Sequence, residues 1–513
     1  MDNYQKGRGA VRIQVPLCDK QTVTELSSDF SLPDYHPPIK RLLRVKAAVS
    51  LPDTYVGSGR VEASGTVDYS ILYSGNDGAL YCVTESAEYQ MSVPVELTAD
   101  IDLNEGLVCD VEILPDLTTG RVVAPRRLSV KCRLRSRVRV FGTRYLEDAV
   151  AEPEKYAVER LCSETECARL FFGAGEVLQL GDEILLDAGD ADLRVISAEG
   201  EVFVTEAGAG SGTVNCRGEV CLKLLCCHES TGEPPSVLLR RIPFTQAVPT
   251  DGAEVNCDCC ANGVCSELRI TVEEGRILCE VGVRLRTRAQ RNETLAYTKD
   301  LYSTNTAWES KHATFTFPFA KKCVNGNFSL NHTLSLEEAG IRPNMQVLDI
   351  TLMPCSCVLE EEAGKYRLTG RCRAHVILAD EEDCSAQEFE IPFRYETDGE
   401  GEGISDYDAK VSPVSCRARV DGERIAIDGE LSVSLAVCGE RRVEMLTEVA
   451  FGEPFVKNGA VYTVCYPSAD DTLWSVAKRY HRAINTVSES NSLPGSAVAD
   501  SPDSLAGVTY LLV

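Results

Sequence analysis

The chain has 513 residues, of which 44% are hydrophobic and 25% charged, a composition typical of a globular protein with three or four domains. Its formal net charge of −26 argues against nucleic acid as a partner, because nucleic-acid binding depends on neutralising phosphates, and also against an anionic membrane surface. The first residues lack the apolar run of a secretory signal, and no window has the roughly 18 apolar residues of a membrane span, so we expect a cytosolic protein.

A strand-like stretch that begins at Gly65 recurs at Gly218 and Gly370, so the sequence repeats with a period of about 150 residues. Each copy is preceded and followed by a further apolar stretch, in the same order. The preceding stretches begin at Leu43, Leu193 and Val347, and the following ones at Arg127, Arg276 and Arg424. Apolar and polar residues alternate in these stretches, which is typical of half-buried β-strands.

The repeat predicts a mainly β protein with three tandem antiparallel β domains, each a sandwich or an open barrel. We place them at residues 30–148, 165–296 and 310–450, after an N-terminal segment at residues 1–29. The stretches that link the domains are predicted to be helical or irregular. In the first domain, one face of a strand is predicted to consist of Val67, Tyr69, Ile71 and Tyr73.

Arginines alternate along one strand of the first two domains. They are Arg133, Arg135, Arg137 and Arg139 in the first domain and Arg284, Arg286 and Arg288 in the second. A period of two places each set on a single face of its strand. Such a positive face in an acidic chain suits either the acidic residues of a neighbouring repeat or a partner surface, and both interpretations remain open here.

The 23 cysteines mostly stand singly in apolar runs, where they are predicted to be buried thiols rather than disulfides. Residues 257–265 contain four cysteines, which either form a zinc site or lie on alternating sides of a loop. We favour the loop, because structural zinc sites usually combine two separated pairs of ligands. Neither a metal nor a cofactor is predicted.

Catalytic motifs are weak throughout the chain. The six histidines are scattered, so no base is paired with a serine or cysteine nucleophile. The glycine-rich residues 208–212 lack the lysine of a phosphate loop and are predicted to be a turn. The cysteines and histidine at 226–228 are predicted to end a strand, and residues 398–402 to form a solvated acidic loop. We therefore expect a protein that is not an enzyme.

The pattern changes after residue 450, and residues 460–513 are predicted to form a small β-α-α-β domain. Val464 belongs to a short strand, and Asp471 or Thr472 offers an N-cap for a helix with an apolar stripe that ends near Tyr480. A second short helix follows, and a strand ends the chain.

These residues resemble the LysM family, most specifically in the helix that starts Asp471-Thr472-Leu473-Trp474. The resemblance implies a non-catalytic module that binds glycans containing N-acetylglucosamine in a groove, here between residues 467–472 and 491–494. Asp470 replaces the glycine usual at that place. The candidate residues for binding a partner or glycan are Asp470, Asp471, Thr472, Leu473, Trp474, Lys478, Tyr480, Asn491 and Leu493. Lys478 and Tyr480 are expected on the exposed flank of the helix, whereas Leu473 and Trp474 are also candidates for the core.

Repeated β domains followed by a LysM module resemble the SPOCS family of spore-forming bacteria. The resemblance implies a scaffold in the mother-cell cytoplasm, at the forespore surface, that acts in spore-coat assembly. It further implies that the LysM domain docks a SpoIVA-like morphogenetic ATPase and that the β repeats recruit other coat proteins. The alternative is a protein of the cell wall or cortex, in which the LysM domain binds peptidoglycan.

Overall fold

The computed structural model describes residues 10–57, 59–98, 101–147, 153–187, 192–228, 234–380, 384–399, 401, 403–456, 463–493 and 499–513. Within this part the chain is mainly β, with antiparallel sheets and a small C-terminal βααβ module, as the alternating sequence pattern predicts. The sheets belong to three successive units, here called unit 1 (residues 10–147), unit 2 (residues 153–303) and unit 3 (residues 306–454).

Unit 1 has two antiparallel sheets. In the first, the central strand β8 lies between β1 on one side and β7 and β6 on the other. In the second, β4 lies between β5 on one side and β2 and β3 on the other. The strands are β1 (Ala10–Ser31), β2 (Ile39–Val49), β3 (Asp53–Gly57), β4 (Arg60–Gly75), β5 (Leu80–Pro94), β6 (Ile101–Asp102), β7 (Val108–Ala124) and β8 (Arg127–Glu147).

Unit 2 repeats this plan after a single helical turn, α1 (Pro153–Tyr156). Its long strand β15 lies between β14 on one side and β9 and β10 on the other, and β12 lies between β11 and β13. The strands are β9 (Val158–Ala174), β10 (Leu178–Leu185), β11 (Leu193–Ala209), β12 (Thr213–His228), β13 (Ser236–Pro249), β14 (Asp258–Glu273) and β15 (Arg276–Ser303).

Unit 3 has the same two sheets with the longest strands. Strand β21 lies between β16 and β20, and β18 lies between β17 and β19. The strands are β16 (Thr306–Ser335), β17 (Gln346–Glu362), β18 (Lys365–Ala379), β19 (Cys384–Asp398), β20 (Asp406–Asp421) and β21 (Arg424–Pro454).

In each unit, the two sheets share one apolar core, so each unit is a β-sandwich and not an open barrel. The core of unit 1 contains Val67, Tyr69, Ile71 and Tyr73, which are fully buried on the face that the alternation predicts. The stretches that begin at Gly65, Gly218 and Gly370 lie in β4, β12 and β18, the central strands of their sheets.

Three stretches that the sequence analysis separated from the β domains lie in long strands. Residues 158–164, expected to be helical or irregular, begin β9. Residues 10–29 form most of β1, which pairs with β8 over its whole length. Residues 297–303 extend β15, and residues 306–309 begin β16. Residues 18–29 and 297–309 are rich in polar residues, which weakens the apolar pattern, whereas residues 11–17 of β1 do alternate and Ile13 is buried.

The three units meet at a common axis, which a repeated β-bulge marks. In each unit one extra residue interrupts the pairing before the marker glycine, namely Leu43, Ile196 or Leu348. The register therefore aligns Leu43 with Ile196 and Leu348, which corrects the alignment with Leu193 and Val347 that the sequence suggested. These residues form an apolar cluster shared by all three units, here called the axial cluster, with Leu72, Leu80, Leu225 and Ile377.

Candidate functional site

The C-terminal module folds as predicted, in the order β22 (Val464–Cys465), α2 (Leu473–Arg479), α3 (Ile484–Asn491) and β23 (Leu511–Leu512). Thr472 is the N-cap of α2: its hydroxyl accepts a hydrogen bond from the backbone N–H of Ser475, and the Ser475 hydroxyl accepts one from the backbone N–H of Thr472. This reciprocal cap fixes the first turn of the helix.

Several residues predicted to bind a partner or glycan make contacts within the module. Leu473 is fully buried in its core. Asp471 accepts hydrogen bonds from Arg479 and from the backbone N–H of Ser468, and these bonds lower the pKa of its carboxyl group. The Asn491 side chain joins α3 to β23, because it donates to the carbonyl of Leu512 and accepts from the N–H of the same residue.

The predicted groove is therefore lined by polar groups that already make hydrogen bonds within the module. Asp470 at its edge is exposed, Leu493 is half-buried against the core, and residues 494–498 lie outside the described part of the chain. Tyr480, expected on an exposed flank, is also half-buried and packs against the core of the module. The residues of helix α2 that carry the resemblance thus serve mainly to fold the module and not to form a binding surface.

Trp474 and Lys478 attach the module to the β units through one carboxylate. The indole N–H of Trp474 donates to Asp300 Oδ2 at 2.8 Å, and the ammonium of Lys478 donates to both Asp300 oxygens at 2.6 and 2.7 Å. Lys478 is therefore not the solvated cation that the sequence suggested, because Asp300 of β15 lies beside helix α2. No pattern in the sequence links these residues, which are far apart along the chain.

A β-bulge in β15 presents Asp300 to the module. The pairing of β15 with β9 shifts between Thr298 and Asp300, and Lys299, the extra residue, pairs with Asp500 of the module. Around this point, the Tyr302 hydroxyl donates to the carbonyl of Arg482 at 2.8 Å.

Aromatic rings complete the same interface. The ring of Tyr302 meets that of Trp474 edge-on with centroids 4.9 Å apart, and His481 stacks on Phe455 at 4.1 Å. Trp308 of β16 meets both His481 and Phe455 edge-on, at 5.3 and 6.2 Å. The module is thus held by the ends of units 2 and 3 together, through apolar contacts as well as ion pairs.

Exposed apolar side chains flank the strand pair of the module. Cys465 and Leu511 point into the core, so by alternation Val464, Tyr466 and Tyr510 point outward. Their exposed fractions are 49%, 73% and 57%. We call this surface the tyrosine face. Exposed aromatic residues grouped in this way are typical of surfaces that bind another protein.

A buried network of charges holds the three units together beside the axial cluster. Arg44 of unit 1, 3% exposed, donates to Glu199 of unit 2 at 2.6 Å and to Asp349 of unit 3 at 2.5 Å. Lys46 also binds Glu199, at 2.9 Å, and Lys223 binds Asp349 at 3.0 Å. We call these five residues the axial network.

The acids of this network are ionised in the folded protein. Burial opposes ionisation, but Arg44 and Lys223 lower the pKa of Glu199 and of Asp349 below their ordinary values. Because the folded-state pKa is lowered, the network stabilises the protein above the pKa of the unfolded acids, and this stabilisation is lost as pH falls through the lowered values.

The axial network uses equivalent positions of the repeat that carry different charges. In the strand register, Arg44 corresponds to Asp349, and Lys46 corresponds to Glu199. A repeat with identical residues would bring like charges together at this axis, so the divergence lets three units with one fold assemble in one order. The sequence contains this signal, but it becomes visible only after the correct alignment.

The alternating arginines of β8 and β15 also join the units to one another. Among the described residues, five ion pairs of these arginines cross from one unit to another: Arg137 with Asp406, Arg139 with Asp408, Arg284 with Asp53, Arg286 with Asp110, and Arg288 with Asp408. Of the two interpretations, pairing with acidic residues of a neighbouring repeat is therefore correct for these arginines.

A cavity of about 1520 Å³ lies between the three units and is lined by residues of all of them. Charged side chains that face it include Arg135, Glu112 and Lys410. Burial, together with the neighbouring Asp408, raises the pKa of Glu112 to about 7, whereas burial lowers the pKa of Lys410.

The remaining motifs are placed in strands and turns. Cys259 and Cys260 lie in β14 on opposite faces, and not in a loop as predicted. His228, at the end of β12 as predicted, lies 3.0 Å from Asp192. Residues 210–212 turn from β11 to β12, and Asp398 ends β19.

Neither a metal-ligand cluster nor a membrane-spanning helix is found among the described residues. In this part of the chain, no group of three or more His, Cys, Asp or Glu side chains is placed to hold a metal ion. Equally, none of the helices described here has the length and apolar character needed to span a membrane.

Comparison with known proteins gives one family. Residues 38–115, from the start of β2 to the middle of β7 in unit 1, match the family model described as SipL, SPOCS domain. Searches of curated proteins and of solved structures gave no match. Unit 1 thus contains a region of the SPOCS type found in SipL, which indicates a role connected with sporulation and the spore coat.

Proposed function

We propose that this chain is a non-enzymatic scaffold of the endospore coat, which acts in the mother-cell cytoplasm at the forespore surface. The observation that carries the proposal is the match of residues 38–115 to the SipL SPOCS domain. The common sandwich plan of the units supports the view that units 2 and 3 are SPOCS repeats too. The βααβ order and the capped helix at Thr472 support a LysM module at the C-terminal end.

In this proposal the C-terminal module docks a SpoIVA-like morphogenetic ATPase through the tyrosine face. Val464, Tyr466 and Tyr510 are exposed apolar residues on a folded strand pair, and burying them against a protein would remove apolar surface from water. The proposed glycan groove is less suited to sugars, because Asp471 and Asn491 already direct their hydrogen bonds into the module. Peptidoglycan binding is therefore the alternative function.

The β units provide a body with fixed geometry. Ion pairs and the axial cluster join all three, and Asp300 fixes the module to the end of unit 2. A body of this kind suits a scaffold, since it sets the distance between the docking module and any coat protein that unit surfaces recruit.

Substitution of the two exposed tyrosines tests the docking surface. We expect the double variant Tyr466→Ser, Tyr510→Ser to bind an immobilised SpoIVA-like ATPase about tenfold or more weakly than the unmodified chain, as expected when central aromatic contacts are lost. Surface plasmon resonance on the full chain measures this. Tyr35→Ser, at an 84% exposed position of unit 1, is the matched control and should bind normally. Unchanged affinity of a folded double variant would rule out the tyrosine face as the docking surface.

A further inference from the structure

Two cysteines from different units lie in direct contact. The Sγ atoms of Cys260, on β14 of unit 2, and Cys323, on β16 of unit 3, are 2.8 Å apart, and the Cys323 thiol is placed to donate to Cys260. Cys260 is almost fully buried, whereas Cys323 is half-buried. Strands β14 and β16 belong to different sheets, so a bond between these sulfur atoms would join unit 2 to unit 3 covalently.

Cys260 occupies a position that is built for an anion. In the strand register it corresponds to Asp110 of unit 1 and Asp408 of unit 3. Asp110 lies opposite Arg139, and Cys260 likewise lies opposite Arg288. A thiolate at this position would replace the carboxylate that the other two units carry, and Arg288 would face it.

The thiols around Arg288 differ in their tendency to ionise. The hydrogen bond from Cys323 lowers the pKa of Cys260, and Arg288 lowers it further, against the effect of burial. Burial raises the pKa of Cys323, as does its bond to Cys260. One thiol is therefore inclined to be the nucleophile, and the other remains protonated beside it.

A small cavity lies beside Cys260. Cys260 lines a cavity of about 20 Å³, enough for a molecule of the size of water, together with Asn262, Arg286 and Lys410. The same three residues also line the large cavity between the units. Cys260 therefore lies beside a small cavity that shares lining residues with the large cavity between the units.

We propose that Cys260 and Cys323 are a redox-active pair that closes to a disulfide between units 2 and 3, with hydrogen peroxide as the oxidant. The Cys260 thiolate attacks one peroxide oxygen, the O–O bond breaks, and the departing hydroxide takes up a proton to leave as water. The sulfur of Cys323 then attacks the resulting sulfenic acid, and its proton leaves with the hydroxyl group as a second water. In sum, two thiols and one peroxide give one disulfide and two waters.

The test uses the full reduced chain and one equivalent of hydrogen peroxide. Thiols are counted under denaturing conditions, and the oxidised protein is digested without reduction for mass spectrometry. We expect the loss of two thiols per chain and a linked peptide that contains Cys260 and Cys323. The first thiol should be consumed at least about tenfold faster than in the variant without the Cys260 thiol.

Cys260→Asp is the matched variant, because it places at this position the residue that the other two units already carry. It should fold normally, keep the pairing with Arg288 and form no linked peptide with Cys323. Cys323→Ser should leave Cys260 oxidised to a sulfenic acid that a dimedone probe captures. Recovery of both cysteines as alkylated thiols from the oxidised unmodified chain, or their linkage to other cysteines instead, would overturn the proposal.

Discussion

Replacement of Arg44 by alanine should lower the free energy of unfolding at neutral pH by about 3–5 kcal/mol, the usual result of removing one partner from a buried ion pair. Arg44 is 3% exposed and is the residue of unit 1 that binds carboxylates of both other units. Its loss leaves Glu199 and Asp349 with less compensation for burial. Urea unfolding of the full chain, followed by circular dichroism, measures the change.

Arg60→Ala is the matched control for this variant. Arg60 lies in the same unit and pairs with Glu62 at 2.9 Å, but its side chain is 63% exposed. An exposed pair contributes at most about 1 kcal/mol, so the control should unfold close to the unmodified chain. Equal stability of the Arg44→Ala and Arg60→Ala variants would show that the axial network does not hold the units together.

Replacement of Asp300 by alanine should release the C-terminal module from units 2 and 3. The variant loses the acceptor for both Trp474 and Lys478, and a buried indole N–H without an acceptor costs about 1–3 kcal/mol. Trp474 is 4% exposed in the docked module, so its release into water should shift the fluorescence emission to longer wavelength. Small-angle scattering should show a larger maximum dimension for the same reason.

Asp500→Ala provides the comparison, since Asp500 also joins the module to β15 but through an exposed pair with Lys299. Its emission spectrum should remain that of the unmodified chain. If Asp300→Ala also keeps the original emission and dimension, the aromatic contacts of Tyr302 and Trp308 hold the module without the carboxylate.

The core of each unit could be predicted because it follows from residues near one another in sequence. Alternation along 67–73 placed four residues on one face, and all four are buried in the core of unit 1. Leu72, on the other face, is buried as well, because it meets Leu225 and Ile377 of the other units. Alternation reports burial within a sandwich, but the contact between units depends on three-dimensional assembly.

Strand β1 and the axial network show two further limits of the sequence. Strand β1 pairs with β8 over its whole length, but its alternating residues 11–17 are followed by a mostly polar stretch, and its partner strand lies far away in the chain. The axial network requires an exact alignment of the repeats, and the similar Leu-Arg-Val sequences at Leu43 and Leu193 favoured a wrong one, because the equivalent of Leu43 is Ile196.

The fold of the C-terminal module could be predicted from the sequence, but its contacts with the β units and its exposed surface could not. The sequence identified α2, the apolar residues that build the module, and Asp471 or Thr472 as its cap, which the structure shows to be Thr472. It did not identify Asp300 as the partner of Trp474 and Lys478, because that contact joins segments far apart in the chain. The tyrosine face is encoded in two short strands, which are too brief for a periodic pattern.

The most direct test of the central claim, that the C-terminal module docks a protein, is a pair of calorimetric titrations of the full chain. One uses the SpoIVA-like ATPase and the other uses oligomers of N-acetylglucosamine. The scaffold proposal predicts saturable binding of the ATPase and no heat of binding with the sugar oligomers. Saturable binding of the oligomers without binding of the ATPase would contradict it and favour a protein that binds peptidoglycan.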